Sequence, residues 1–181
     1  MEKFRERKRE ALEHIKFCVS LYRLQQAEGR YFLHEHPAGA TSWDIQAMSD
    51  LQKLDGVQRV ECDQCQFGLV AAVNGEQRPA RKLTGILTNC HCIAEELAKR
   101  CPRTHDHFSF IEGRAAIAQK YPPGLCKSIC RGLQRQQQLD RTGFGYIMNL
   151  SSSELEKALS RARYPLHWLI DNTMNRWTTR S

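Results

Sequence analysis

Along residues 2–28, Leu12, Ile15, Val19 and Tyr22 recur at helical spacing and form one apolar stripe, while Glu6, Lys8, Arg9 and Glu13 fall off it. The spacing predicts one long helix over 2–28. Gly29 ends it, as a glycine suits the left-handed position after a helix C-terminus. Between Glu2 and Glu10 the only apolar side chain is Phe4, so the first turns are expected to project from the body.

The pattern then shortens. Tyr31, Phe32 and Leu33 open a strand over 31–35. Trp43, Ala47, Met48 and Leu51 mark a helix over 43–54, broken by Gly56, and a second strand follows over 57–62. Residues 70–73 and 83–88 read as further strands and 93–99 as a short helix. Asn74-Gly75 is a tight-turn signal, but the basic stretch 78–82 behind it points to a long loop rather than a hairpin. Helical pattern returns at 114–120, breaks at Pro122-Pro123 and resumes over 125–138 through Leu125, Ile129 and Leu133, with the polar run 134–138 marking its frayed end. Beyond Asp140 the character changes. Ser151-Ser152-Ser153-Glu154 carries a capping-box signature ahead of a short helix. Residues 164–181, with Trp168 and Trp177, read as a tail or docking segment.

This order predicts an α/β fold: a partial Rossmann-like sheet of three to five strands flanked by helices, with a long N-terminal helix and a helical C-terminal extension. The expected organisation is an N-terminal helix over 1–29, an α/β core over 30–140 and an extension over 141–181. The first two strands and their helix would make a right-handed crossover in a parallel sheet.

Composition narrows the classes. The 181 residues are 41% hydrophobic and 26% charged, ordinary for a chain that builds a core. No apolar run approaches the roughly 20 residues that span a bilayer. The N-terminus is charged with both signs and has no apolar segment behind it, unlike a secretory signal. No membrane role and a cytoplasmic or nuclear site are therefore expected. The net charge of +7 favours nucleic acid as a partner, although the cations are spread along the chain. Eight cysteines in a reducing compartment read as metal ligands or buried thiols.

Three polar tips follow the strands. His34-Glu35-His36-Pro37 ends the first; alternation puts His34 and His36 on one face, a metal-binding spacing, and Glu35 on the other. Asp63-Gln64-Cys65-Gln66-Phe67-Gly68 ends the second, and within Cys62-x-x-Cys65 period-2 logic turns Cys62 inward as a core thiol. Arg81-Lys82 leads into the strand that ends in Thr88-Asn89, where Lys82 could meet a phosphate or a carboxylate.

Read together, these runs resemble the C-terminal half of a Rossmann-like class I methyltransferase. Phe32-Leu33-His34-Glu35-His36-Pro37 is similar to the Glu-Asn-Val strand end of DNA cytosine methyltransferases, Gln66-Phe67-Gly68 to their Phe-Gly or Tyr-Gly turn, and Gln77-Arg78-Pro79-Ala80-Arg81 to their Gln-x-Arg segment. The order also resembles divergent methyltransferase-like segments of phage genomes and retroelement-type polyproteins, from which Lys82-Leu83-Thr84 departs by having Leu in place of Pro. The resemblance covers about residues 15–130. It implies that Glu35 holds a base or amine edge, with Asn89 as its catalytic partner, and that His34, His36, Lys82 and Asp63 bind substrate. The glycine-rich S-adenosylmethionine turn and the Pro-Cys nucleophile loop are absent. The domain is then expected to be inactive alone, S-adenosylmethionine entering only if a partner chain supplies the missing half.

A second constellation is independent of that resemblance. Cys101, His105 and His107 lie within seven positions, close enough to share a structural zinc, with Cys92 or Cys90 as the fourth ligand. The alternative function is thus a zinc-stabilised, non-catalytic binding module or subunit of a larger assembly, contacting nucleic acid or protein. A metal-dependent hydrolase built on His34, Glu35 and His36 lacks a second carboxylate cluster. Cys126 and Cys130 are expected to pack against the sheet, and Lys127, Arg131, Arg135 and Arg141 to form a basic edge.

Overall fold

The computed structural model describes residues 2–73, 76–108, 120–141 and 153. Asn74 and Gly75, the helix expected over 114–120 up to Lys120, and nearly all of the 141–181 extension, with its capping box, Trp168 and Trp177, lie outside the described residues.

Helix α1 (Glu2–Ala27) is followed by strand β1 (Leu33–Pro37), a 3-10 turn at Thr41–Asp44, α2 (Gln46–Gln52) and β2 (Gln58–Asp63). A second 3-10 turn (Gln64–Phe67) leads to β3 (Val70–Val73) and β4 (Glu76–Pro79), then β5 (Leu83–Thr88), α3 (His91–Leu97) and α4 (Pro123–Arg141). The α/β class and the long N-terminal helix are as the pattern predicts. Gly29 takes φ +67 and its N–H bonds to Gln26, closing α1 as a glycine cap does.

The two strands of the expected crossover run in the same direction but are not neighbours, and the sheet is antiparallel where a parallel one was expected. The main sheet runs β1-β5-β2, and β5 pairs antiparallel with both neighbours: Glu35 faces Ile86 on one side, and Val60 faces Ile86 on the other. The strand inserted between β1 and β2 arrives from 20 residues further along the chain, so the crossover through α2 spans a third strand. β3 and β4 form a separate antiparallel pair with Val73 opposite Glu76, a hairpin where a long loop was expected.

Each face of the main sheet carries its own core. Leu87 points to one side, where Val19 of α1, Phe32, Trp43, Met48 and Leu51 pack. Ile86 points to the other, against Cys62, Phe67, Cys90, Ile93, Leu97 and Leu125. Alternation along β5 thus sorts α1 and α2 from α3 and α4. Gly85 in this central strand is required: a Cβ there would lie 2.8 Å from the Trp43 indole. Helices α3 and α4 cross where Gly132 meets the backbone of Cys92 and Ile93. On α1, Ile15, Val19 and Tyr22 reach the core, whereas residues 2–11 are exposed, as the projecting first turns predict. No helix among the described residues is long and apolar enough to cross a membrane.

Candidate metal centre

The centre begins at the end of β2. Asp63 is its last residue, and the chain then turns through 64–67 so that Cys62 points into the core while Cys65 stands at the edge. Gly68, at φ +84, takes the left-handed position that ends the turn. The other wall is the loop after α3, where Cys101, His105 and His107 follow one another.

These two walls meet. The ligand atoms of Cys65, Cys101, His105 and His107 all lie within 4.8 Å of one another, a group that could hold a metal ion. Cys101 Sγ is 3.6 Å from His105 Nε2 and 3.4 Å from His107 Nε2; His107 Nε2 is also 3.4 Å from Cys65 Sγ. Burial first, then the neighbouring Cys101, raises the Cys65 thiol pKa, and burial followed by His105 lowers that of His107.

The loop is held in shape by its backbone. Arg103 is the only described non-glycine residue at positive φ, +60, and that turn brings its N–H to Cys101 Sγ at 3.3 Å. Asp63 anchors the other end. Its Oδ2 accepts the Cys101 N–H at 2.9 Å and Arg100 Nε at 3.2 Å, and its Oδ1 accepts Arg81 Nε at 3.0 Å. Burial alone would raise its pKa, but the Cys101 amide and the two guanidinium groups outweigh that and hold the carboxyl below the usual range. Asp63 therefore serves the architecture of the loop, with both carboxylate oxygens occupied by protein groups.

The fourth ligand is a correction. Cys92 is buried on α3, where its N–H bonds to Gln136 of α4, and Cys90 is buried beside the same glutamine. Neither belongs to the cluster. The signal for Cys65 was its position one turn past a strand end, like Cys101 past its helix.

The residues at the tip of β1 divide as alternation predicts. His34 and His36 share a face, their rings 5.8 Å apart and both edge-on to Trp43, over which Arg59 is stacked at 4.2 Å. His34 Nδ1 lies 3.1 Å from the Tyr22 hydroxyl. Burial above all, then His36, lowers the His34 pKa. Glu35 is on the opposite face, where Lys82 Nζ approaches Oε1 at 3.4 Å and the Tyr121 hydroxyl donates to Oε2 at 2.6 Å. Burial and then this carboxylate push the Tyr121 pKa up to about 12. Lys82 thus meets a carboxylate of its own chain. Asn89 sits three rungs away: its Oδ1 accepts the Phe32 N–H and its Nδ2 donates to the Arg30 carbonyl, both at 2.9 Å. The histidines, the Glu35–Lys82 pair, Asn89 and Asp63 occupy separate places and do not converge on one cavity.

Cys126 and Cys130 are exposed, not turned to the sheet; the buried face of α4 is Leu125, Ser128, Gly132 and Gln136. Of the basic edge, Arg131 and Arg135 are paired with Glu96 and Glu95 of α3 at 3.2 and 3.1 Å. Compared with known proteins, the chain matches no family model, no curated protein and no solved structure.

Proposed function

We propose that this chain is a metal-stapled, non-catalytic binding module in which Cys65, Cys101, His105 and His107 hold one structural zinc ion. The convergence of four ligand atoms from two separate walls carries the reading. Around a tetrahedral zinc, sulfur at about 2.3 Å and nitrogen at about 2.0–2.1 Å lie about 3.5 Å from each other. The sulfur–nitrogen separations of 3.6, 3.4 and 3.4 Å match that edge. Cys101 Sγ accepts the Arg103 N–H and also meets two imidazole nitrogens, of which the single proton of a thiol could serve only one. Two thiolates and two neutral imidazoles neutralise the ion and fill four positions, which leaves no open site for chemistry. The staple ties the end of β2 to the loop after α3.

The test is the zinc content of the purified chain. About one zinc per chain is expected, lost in both Cys65→Ser and Cys101→Ser and kept in Cys92→Ser. A metal-free chain whose thermal unfolding does not shift on adding zinc would overturn the proposal.

The methyltransferase-like reading has one observation in its favour, the meeting of Glu35 with Lys82 near the sheet end. Its other members are engaged elsewhere, Asn89 with backbone groups and Asp63 with arginines. Saturable binding of S-adenosylmethionine by the chain would restore it.

A further inference from the structure

Two of the proposed ligands present sulfur to each other. Cys65 Sγ and Cys101 Sγ belong to a group of ligand atoms that all lie within 4.8 Å of one another, and both side chains are partly exposed. A disulfide holds its sulfurs at about 2.05 Å, so this pair has to close by less than about 3 Å. Rotation of the two side chains between staggered rotamers supplies a shift of that order. Cys65 lies on the 64–67 turn and Cys101 on the loop after α3, so neither is locked within a packed helix.

The protein keeps the sulfurs opposed without help from an ion. Asp63, two residues before Cys65, accepts the Cys101 N–H at 2.9 Å and donates its own N–H to the Lys99 carbonyl at 3.0 Å. The Gln64 N–H bonds to the Lys82 carbonyl at 3.0 Å and the Gly68 N–H to the Cys65 carbonyl at 3.1 Å, which fixes the turn that carries Cys65. These bonds clamp 63–65 to 99–101 through protein groups alone. Loss of a metal therefore leaves two thiols side by side where solvent reaches them. The other cysteines are placed differently. Cys62, Cys90 and Cys92 are buried, Cys126 and Cys130 are exposed on α4, and Cys18 stands beside His14 on α1.

We infer that Cys65 and Cys101 form a redox pair that alternates with the metal: in the metal-free chain a hydroperoxide joins them in a disulfide, and the disulfide keeps zinc out until a thiol reduces it. The exclusion of zinc rests on the reading of Cys65, Cys101, His105 and His107 as a metal centre. One sulfur attacks the hydroperoxide, the O–O bond breaks, and a sulfenic acid and an alcohol form. The second sulfur attacks the sulfenic sulfur; the S–S bond forms, the S–O bond breaks and water leaves. Two thiols thus lose two electrons and two protons, and the hydroperoxide is reduced to alcohol and water. Two equivalents of a small thiol restore the pair by exchange and leave as their own disulfide. Sulfur in a disulfide is no longer a thiolate, so two of the four ligands are withdrawn and the histidines alone hold the ion weakly. The link from the end of β2 to the loop after α3 persists as a covalent bond.

The experiment compares the full unmodified chain with the double variant Cys126→Ser, Cys130→Ser, which lacks the two exposed thiols of α4. Zinc-loaded and chelator-treated samples of each are exposed to tert-butyl hydroperoxide, the remaining thiols are blocked, and non-reducing peptide mass mapping locates the bonds. The 65–101 bond is expected to be the main one in both chelated proteins and at least tenfold rarer in the zinc-loaded ones. Once the chelator is removed, the oxidised chain should take up less than about a tenth of the zinc bound by the reduced chain, and dithiothreitol should restore uptake. A chelated chain that forms mainly other bonds would overturn the inference, and circular dichroism shows whether it has kept its fold while doing so. Passage of Cys65 and Cys101 to sulfinic acid without joining, zinc uptake by the oxidised chain, or equally fast bond formation with zinc in place would each do the same. A reduced chain that binds zinc yet forms no 65–101 bond refutes the redox pair and leaves the metal centre standing. A reduced chain that binds no zinc refutes the metal centre, and with it the alternation, even where the bond forms.

Discussion

The carboxylate of Asp63 accepts the backbone N–H of Cys101 at 2.9 Å, so the last residue of β2 sets the position of a cysteine 38 residues later. The side chain is 2% exposed and also receives Arg81 and Arg100. It is the hinge between the sheet and the loop after α3, and its charge is what both guanidinium groups and the amide share.

Asp63→Asn keeps the shape and removes that charge. One of its two polar atoms becomes a donor and must face an N–H of Cys101 or of an arginine. The arginines are partly exposed and regain water, so the expected loss of stability is about 1–3 kcal/mol. Because Cys101 loses its anchor, zinc affinity should fall about 10–100-fold, the usual effect of removing a group that orients a ligand. Competition with a chromophoric chelator measures this. Unchanged affinity in a destabilised protein would restrict Asp63 to the fold.

Seven of the eight cysteines should separate by reactivity. Cys62 is fully buried, and burial chiefly pushes its pKa up to about 12; Cys90 is pushed up to about 11 for the same first cause. Cys126 and Cys130 lie in the open on α4. Thiolates are the reacting form, so at pH 8 iodoacetamide should label Cys126 and Cys130 first and leave Cys62, Cys90 and Cys92 intact until unfolding. Cys65 and Cys101 should become reactive only when a chelator is added. Peptide mass mapping with and without chelator reads all of this, and equal labelling of Cys65 and Cys101 in both conditions would remove the proposed metal.

The helical stripes and strand positions were legible because burial imposes a period. Ile15, Val19 and Tyr22 reach the core on the predicted face of α1, and His34 and Glu35 part as alternation requires. Strand partnership was not legible. Nothing in the period of β1 or β2 reveals that β5 slots between them, since hydrogen-bond partners are chosen by the path of the intervening chain. Three of the four side chains of the cluster that could hold a metal ion were visible from local spacing. The fourth is 36 residues before Cys101, and only the packing of the 64–67 turn against the following loop brings it near. On α4 the stripe through Leu125, Ile129 and Leu133 was drawn too wide: its centre passes through Ser128 and Gly132, which leaves Cys126 and Cys130 outside.

Gly132 shows what that small-residue face is for. A Cβ at this position would lie 2.7 Å from Ile93 Cα and 2.9 Å from the Cys92 carbonyl oxygen. Both are backbone atoms and cannot swing aside, so α3 and α4 must separate to admit it. Gly132→Ala gains helix propensity of up to about 1 kcal/mol, and overpacking costs about 1–3 kcal/mol. Net destabilisation is expected, read as a lower denaturation midpoint at an unchanged denaturant slope. A stabilised variant would mean that the helices tolerate a wider spacing.

His34 carries the last prediction. Its ring is enclosed by Tyr22 and Trp43, and burial first, then His36, holds its pKa below the ordinary 6.5, with Glu35 acting in the opposite sense. A lowered folded-state pKa means that the unfolded chain takes up the proton first as the pH falls below about 6.5. The contribution of neutral His34 is therefore complete above that value. It is lost progressively as the pH falls from there towards the folded-state pKa, below which no further loss occurs. His34→Gln offers the Tyr22 hydroxyl a partner and does not titrate. Between pH 7.5 and 5.0 the thermal midpoint of the unmodified chain should fall more than that of the variant. Protonation of the proposed ligands releases metal over the same range, so both proteins are compared zinc-loaded and chelated. The difference should persist in both states, and parallel curves in the chelated pair would show that the burial of His34 does not shape the pH dependence.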